Sequence, residues 1–265
     1  MATVKDIYNI VDEFAPFSMQ MNFDNAGLLV GSEDAPVERV LLSLDITLPV
    51  IKEAEQVGAQ LILAHHPVIF HPVKALLAGD PTADKLIALV RKGIAALCAH
   101  TNLDVAVGGV NDALAEKIGL KNVEIFQPDG VDAVGRPYGL GRIGVLEDSF
   151  TLIEFAEKVK NSLGSNGLRY VDVGRKVHRV AVGGGSCGSE LYDAFRKGCD
   201  TFVTADLKYD HFLDAKALGL NLIDAGHFPT ENVVLPVLER LLRERCPEVE
   251  VLTSQSHRKE VFSYL

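Results

Sequence analysis

No apolar run in this 265-residue chain reaches the roughly 18 residues that a membrane-spanning helix needs. The first residues, "MATVKDIYNIVDEFAPF", carry acids inside their apolar pattern and do not read as a signal peptide. Cysteine is scarce: Cys98, Cys187, Cys199 and Cys246 are scattered, with no C-x-x-C spacing. That leaves no thiolate zinc site or dithiol motif, and it fits reduced thiols in a cytoplasmic protein. Basic charge is also short, with 26 Lys and Arg against 36 Asp and Glu, a net charge of -10. A nucleic-acid backbone is therefore a poor candidate for main partner, although a locally basic pocket is still allowed. There is no Walker loop.

What is present is regular alternation. Short apolar bursts ("RVLLSLDI", "QLILAH", "IAALCAH", "RVAVGGG", "DTFVTAD", "LNLIDAG") are separated by amphipathic stretches of helical period, which predicts an α/β protein with largely parallel sheets. The segment "QPDGVDAVGRPYGLGRIG" is rich in Gly and Pro and is the best candidate boundary. The chain also repeats itself. At an offset of 140, Val37, Arg39, Val40 and Gly58 face Val177, Arg179, Val180 and Gly198, and His66 falls opposite Asp206. Removing 13 residues around "HPVKALLAGDP" restores register, so that His100-Thr-Asn-Leu-Asp104 lies over His227-Phe-Pro-Thr-Glu231. The expectation is two similar α/β lobes from an internal duplication, residues 1–128 with 226–265 and residues 129–225, with a metal site in the cleft between them.

The polar strand ends motivate that site. Ligands gather beyond the carboxyl ends of strands in open α/β sheets. His65 and His66 end "LILA", His100 and Asp104 follow "IAALCA", and His227 and Glu231 follow "LNLIDA". Imidazole and carboxylate without thiolate suit Zn, Mn, Fe, Co or Ni, and a carboxylate can bridge two such ions. Taken singly, each residue has a blander use: a hydrogen-bonded histidine, Asp104 as a turn former, Glu231 as ordinary helix-start chemistry. Their coincidence at one sheet edge favours metal. Asp206, opposite His66 in the repeat, is placed to orient a ligand histidine. The turn "AVGGGSCGSE" reads as a plain tight turn more readily than as a phosphate cradle. Asp24 and Asn25 in "FDNAGLLVG" are either a turn or substrate contacts. His71, His178 and His257 have no partner pattern and read as incidental.

The segments "FDNAGLLVG", "HHPVIF", "HTNLDVAVGGVND", "VAVGGGSC", "TADLKYDHF" and "GHFPTEN", in this order, resemble the Nif-three-like family, also called GTP cyclohydrolase I type 2 homologs. The resemblance spans about Phe23 to Asn232. It implies that His65, His66, Asp104, His227 and Glu231 bind two divalent ions per subunit, with His100 as a nearby proton carrier or substrate contact. It also implies a ring-shaped homohexamer. The stretch from Gln127 to Val177 is too short for the mid-chain insert of some members. Departures are small: Phe23 stands where tryptophan is frequent, and Ala205 where glycine is common.

The leading expectation is a metal-dependent hydrolase acting on a nucleotide-like small molecule, in the cyclohydrolase form at C8 of a guanine ring. A two-metal phosphoesterase is the chief variant, with Lys74 or Lys208 meeting phosphate. A non-catalytic metal carrier or regulatory scaffold is the alternative from a different class.

Overall fold

The computed structural model describes residues 1–265. The chain divides into two compact units, Met1–Ala106 with Leu235–Arg258, and Val107–Val234 with Lys259–Leu265. These limits differ from the boundaries expected from sequence. The reason lies in the helix Val110–Ile118. It buries Leu114, Ala115 and Ile118 among Phe155, Val180 and Val182, all residues of the second unit.

The first unit is built on a five-stranded sheet. Its centre is β1 (Arg39–Ser43), β2 (Leu61–Ala64) and β3 (Ala95–Cys98), joined by α1 (Leu48–Val57) and α2 (Pro81–Lys92). Glu250–Thr253 adds a parallel strand beside β1, and Gly27–Val30 an antiparallel one beside β3. β2 and β3 are buried along their whole length, which is why they read as unbroken apolar runs. The helices start and stop where local chemistry dictates. The Thr47 hydroxyl accepts from Val50 N at the start of α1, and the Asp80 carboxylate accepts from Thr82 N and Ala83 N at the start of α2. Gly58 and Gly93 end them in the left-handed conformation, with φ 69° and 65°. Val50, Ile51, Ala54, Leu86 and Leu89 pack on Ile62, Ala64 and Ala96. Each fully buried leucine there contributes about 1.5–3 kcal/mol.

The second unit repeats the central run. β4 (Val177–Val182), β5 (Thr201–Thr204) and β6 (Asn221–Asp224) are parallel and joined by α4 (Leu191–Arg196) and α5 (Tyr209–Leu218), if helices are counted on from α3 (Thr101–Val105) in the first unit. Their register matches the sequence offset: Val40 pairs with Leu61 in one sheet, and Val180 with Thr201 in the other. The short helix α3 follows β3, and the short helix α6 (His227–Glu231) follows β6.

The sheet of the second unit departs from the parallel expectation. Lys121–Val131 and Pro137–Phe150 form a long antiparallel hairpin, continuing antiparallel onto β4, and Arg169–Val171 closes the other edge antiparallel to β6. The Gly- and Pro-rich stretch read as a boundary is this hairpin. Its turn is held by Asp132, whose carboxylate accepts from Val134 N at 3.0 Å, Arg136 N at 2.8 Å and Arg136 Nε at 2.6 Å. Glycine is needed at Gly139, where any Cβ would overlap the Gln127 carbonyl. Arg142, almost wholly buried, is neutralised by two bonds to Asp112 (2.9 and 2.7 Å) and donates to the Gly139 and Gly141 carbonyls.

Candidate metal centre

Adjacent residues of an extended strand face opposite ways, so His65 and His66 can share a site only where the strand ends. They do so because His65 N and His66 N both donate to the Leu44 carbonyl, at 3.2 and 3.0 Å, which takes the chain out of the ladder just past β2. The two rings then lie 4.9 Å apart, centre to centre. His100 at the head of α3 brings a third ring, 5.2 Å from His65 and 5.6 Å from His66. Each of the three offers a ring nitrogen within 4.8 Å of the others, a grouping that could hold a metal ion. Asp104, one helical turn after His100, places Oδ1 3.6 Å from His65 Nε2.

In all three rings Nδ1 is held by oxygen. His65 Nδ1 donates to the Ala99 carbonyl at 2.8 Å, His66 Nδ1 to Asp45 Oδ1 at 2.7 Å, and His100 Nδ1 to Asp24 Oδ1 at 2.7 Å. An acceptor at Nδ1 fixes the proton there, so Nε2 of the neutral ring carries the lone pair. Asp24 also accepts from Thr101 N at 3.0 Å and from the Thr101 hydroxyl. Burial alone would raise its pKa, but the bonds from His100 and Thr101 outweigh that and lower it to about 2. Asn102 pins α3 from below: its Nδ2 donates to the Ala15 carbonyl at 2.7 Å, and its Oδ1 accepts from His100 N at 2.9 Å.

Two residues of this arrangement escaped the sequence reading. Asp45 bonds His66 through Oδ1 and His257 Nε2 through Oδ2, at 2.7 and 2.6 Å. Burial opposes ionisation of Asp45, yet the two imidazoles hold its carboxyl below the usual range. As the acid just past the end of β1, Asp45 shared the strand-end signal of the other candidates and could have been found. His257, read as incidental, is 212 residues from Asp45 in sequence, and no local pattern joins them.

In the second unit, α6 carries His227 and Glu231 one turn apart, with Nε2 and Oε2 at 2.9 Å. Asp206 Oδ2 accepts from His227 Nδ1 at 2.7 Å. Asp206 reaches there from a left-handed backbone, φ 53°, which aspartate tolerates better than most residues. Burial pushes His227 toward its neutral form, but Asp206 and Glu231 outweigh it and raise its pKa to about 11. Two carboxylates on one imidazole form an anionic seat, and a divalent cation satisfies such a seat at Nε2 as a proton does. The glycine turn after β4 makes room for it. A Cβ at Gly185, φ 64°, would strike Glu231 Oε1. Gly184 N and Gly185 N donate to Asn111 Oδ1 and Thr230 Oγ1, so these amides serve the fold and not a phosphate.

The remaining candidates have other placements. Asn25 Nδ2 donates to the Ile69 carbonyl at 2.6 Å. Lys74 is exposed beside a cavity of about 460 Å³ that Lys85 and His71 also line. Lys208 is exposed at the head of α5, with its backbone N–H directed to His211 Nδ1.

The family model described as Duf34/NIF3 (NGG1p interacting factor 3) matches residues 2–260. A GTP cyclohydrolase 1 type 2 homolog of Clostridium perfringens is 36% identical over 264 residues, covering 99% of each chain. The homolog of Halalkalibacterium halodurans, 28% identical, aligns over 363 positions to 97% of this chain, so it carries inserted sequence that this chain does not. Among solved structures, the Bacillus cereus protein related to NIF3 superposes with a TM-score of 0.93 at 29% identity, covering 100% of this chain and 99% of that one.

Proposed function

The chain belongs to the Duf34/NIF3 family, and from that premise we propose that it binds two divalent transition-metal ions per subunit and hydrolyses a nucleotide-like small molecule. The ligands in this reading are His65, His66, Asp104, His227 and Glu231. The observation that carries it is the shared posture of the histidines. His65, His66, His100 and His227 each have Nδ1 held by an oxygen, which directs the lone pair of the neutral ring to Nε2. That is how imidazole is prepared for a metal, and Zn, Fe, Mn, Co and Ni all accept this donor set.

Ions bound there supply Lewis-acid chemistry, acidifying water and polarising the electrophile. The chain's own residues do the rest. Asp45 and Asp206 hold ligand rings in one tautomer. Asp24 does the same for His100, which makes it a positioning residue, and His100 exchanges protons with substrate through Nε2. Lys74 and Lys208 meet anionic groups of the substrate.

The test has two arms. Metal per subunit is measured in the purified protein, and metal-loaded wild type and Asp104→Asn are assayed on GTP, cyclic nucleotides and generic phosphoesters. The expected result is two ions per wild-type subunit, with metal affinity at least about tenfold weaker and turnover lost in a folded Asp104→Asn. Stoichiometric metal without turnover on any substrate would make the protein a metal carrier. Wild type that takes up no metal would refute both readings.

A further inference from the structure

Beside the imidazole cluster of the first unit lie two aromatic rings that the chemistry above does not use. Phe23 is 65% exposed and Phe70 is 41% exposed. Their ring centres are 6.4 Å apart at an interplanar angle of 66°. Large apolar rings left in water at the rim of a polar site are a cost to a folded chain unless something covers them. They are also held in place. Asp24, next to Phe23, is anchored by His100 and Thr101, and the Asn25 side chain ties that loop to the Ile69 carbonyl, next to Phe70. Two loops 44 residues apart are thus joined at the rings.

Phe70 faces two ways. Its ring meets His100 edge-on at 6.0 Å, and it also walls the 460 Å³ cavity with His71, Thr82, Lys74 and Lys85. Asp80 lines that cavity too, but its carboxylate accepts from Thr82 N and Ala83 N at 3.0 and 2.8 Å. Lys74 and Lys85 outnumber that one carboxylate, so the cavity lining is net positive. Moving outward, the order is imidazole, then aromatic ring, then a cationic cavity.

We propose that Phe23 and Phe70 are the binding face for a planar heteroaromatic ring, and that Lys74 and Lys85 take an anionic group on the same molecule. The inference rests on the hydrolase reading for its setting and deepens it by assigning the substrate's ring and charge to named residues. Two angled rings can offer one face and one edge to a flat π-system, a fit that an aliphatic substrate cannot use. Lysine ammoniums meet phosphate oxygens as point charges without demanding one geometry.

The chain contains no tryptophan, so Phe23→Trp installs a lone indole reporter at the face itself. The metal-loaded variant is titrated with GTP, guanosine and inorganic tripolyphosphate while emission is followed, and metal content and molar mass are measured for every variant. Saturable quenching by GTP, weaker binding with quenching by guanosine, and competition without quenching by tripolyphosphate are expected. Adding Phe70→Ala should weaken GTP roughly five- to a hundredfold, the range for one lost base stack. The double variant Lys74→Ala/Lys85→Ala should weaken GTP about tenfold or more and leave guanosine unchanged. Unchanged emission with GTP at full metal content would overturn the proposal and leave the metal reading standing. So would tripolyphosphate binding as tightly as GTP, or a change of molar mass in Phe70→Ala, which would make the rings a subunit contact. Quenching by GTP in protein that takes up no metal would refute the metal reading and support the aromatic face.

Discussion

Asp45 is the most informative residue to remove. It touches no proposed substrate atom and offers no metal ligand, yet it holds His66 Nδ1 at 2.7 Å and His257 Nε2 at 2.6 Å. Asp45→Ala deletes both bonds. A hydrogen bond to a charged group contributes about 1.5–3 kcal/mol when shielded. The Asp45 side chain is 37% exposed, so water screens part of this and can rehydrate the rings. The expected net loss is about 2 kcal/mol in metal-free protein, a fall in Tm of roughly 4–8 °C. The effect on metal should be larger in proportion. Without its acceptor the His66 ring rotates and exchanges tautomers, and loss of such a partner costs about 10–100-fold in metal affinity. Asp45→Asn separates the two effects. Its amide oxygen can stay on His66 while His257 changes tautomer to accept from the amide N–H, so affinity should fall only about threefold. The assay is competition for metal against a chromophoric chelator, with thermal denaturation alongside. If Asp45→Ala binds metal within about twofold of wild type while its Tm falls, the carboxylate serves stability only. The argument that Nδ1 partners prepare these histidines would then be wrong.

Other outcomes follow from the same geometry. Gly185→Ala forces a left-handed backbone on alanine and a methyl into the Glu231 carboxylate; it should cost about 2–4 kcal/mol by denaturant titration and weaken metal retention. Glu53 accepts from Ser254 Oγ, Gln255 N and Ser256 N at 2.6, 2.8 and 2.9 Å. Burial opposes these bonds, but they prevail and lower its pKa from 4.5. A lowered carboxyl pKa gives stability that is present above the unfolded value and lost as pH falls through the folded value. Glu53→Gln should therefore cost about 1 kcal/mol at pH 7, with the gap to wild type closing below pH 4.5. All four cysteines are buried, and burial pushes the Cys98 thiol up to about 12. Native protein should resist alkylation at pH 8, and full labelling should need denaturant.

The strand–helix alternation and the six imidazole and carboxylate residues at strand ends were legible in the sequence. Periodicity is a local property, and a polar residue after an apolar run shows where a buried strand comes into the open. The strand pairs Val40–Leu61 and Val180–Thr201 stand 140 residues apart, in step with the offset read along the chain. Tertiary structure decided what each histidine does with Nδ1. The acceptors are a carbonyl 34 residues away and carboxylates 21 to 76 residues away, chosen by how the chain packs. It also decided that the Gly-rich stretch near residue 135 is a hairpin, that Gly185 exists to admit Glu231, and that His257 steadies Asp45. Which ring nitrogen carries the proton depends on the acceptor beside it in space, and spacing along the chain does not encode that neighbour.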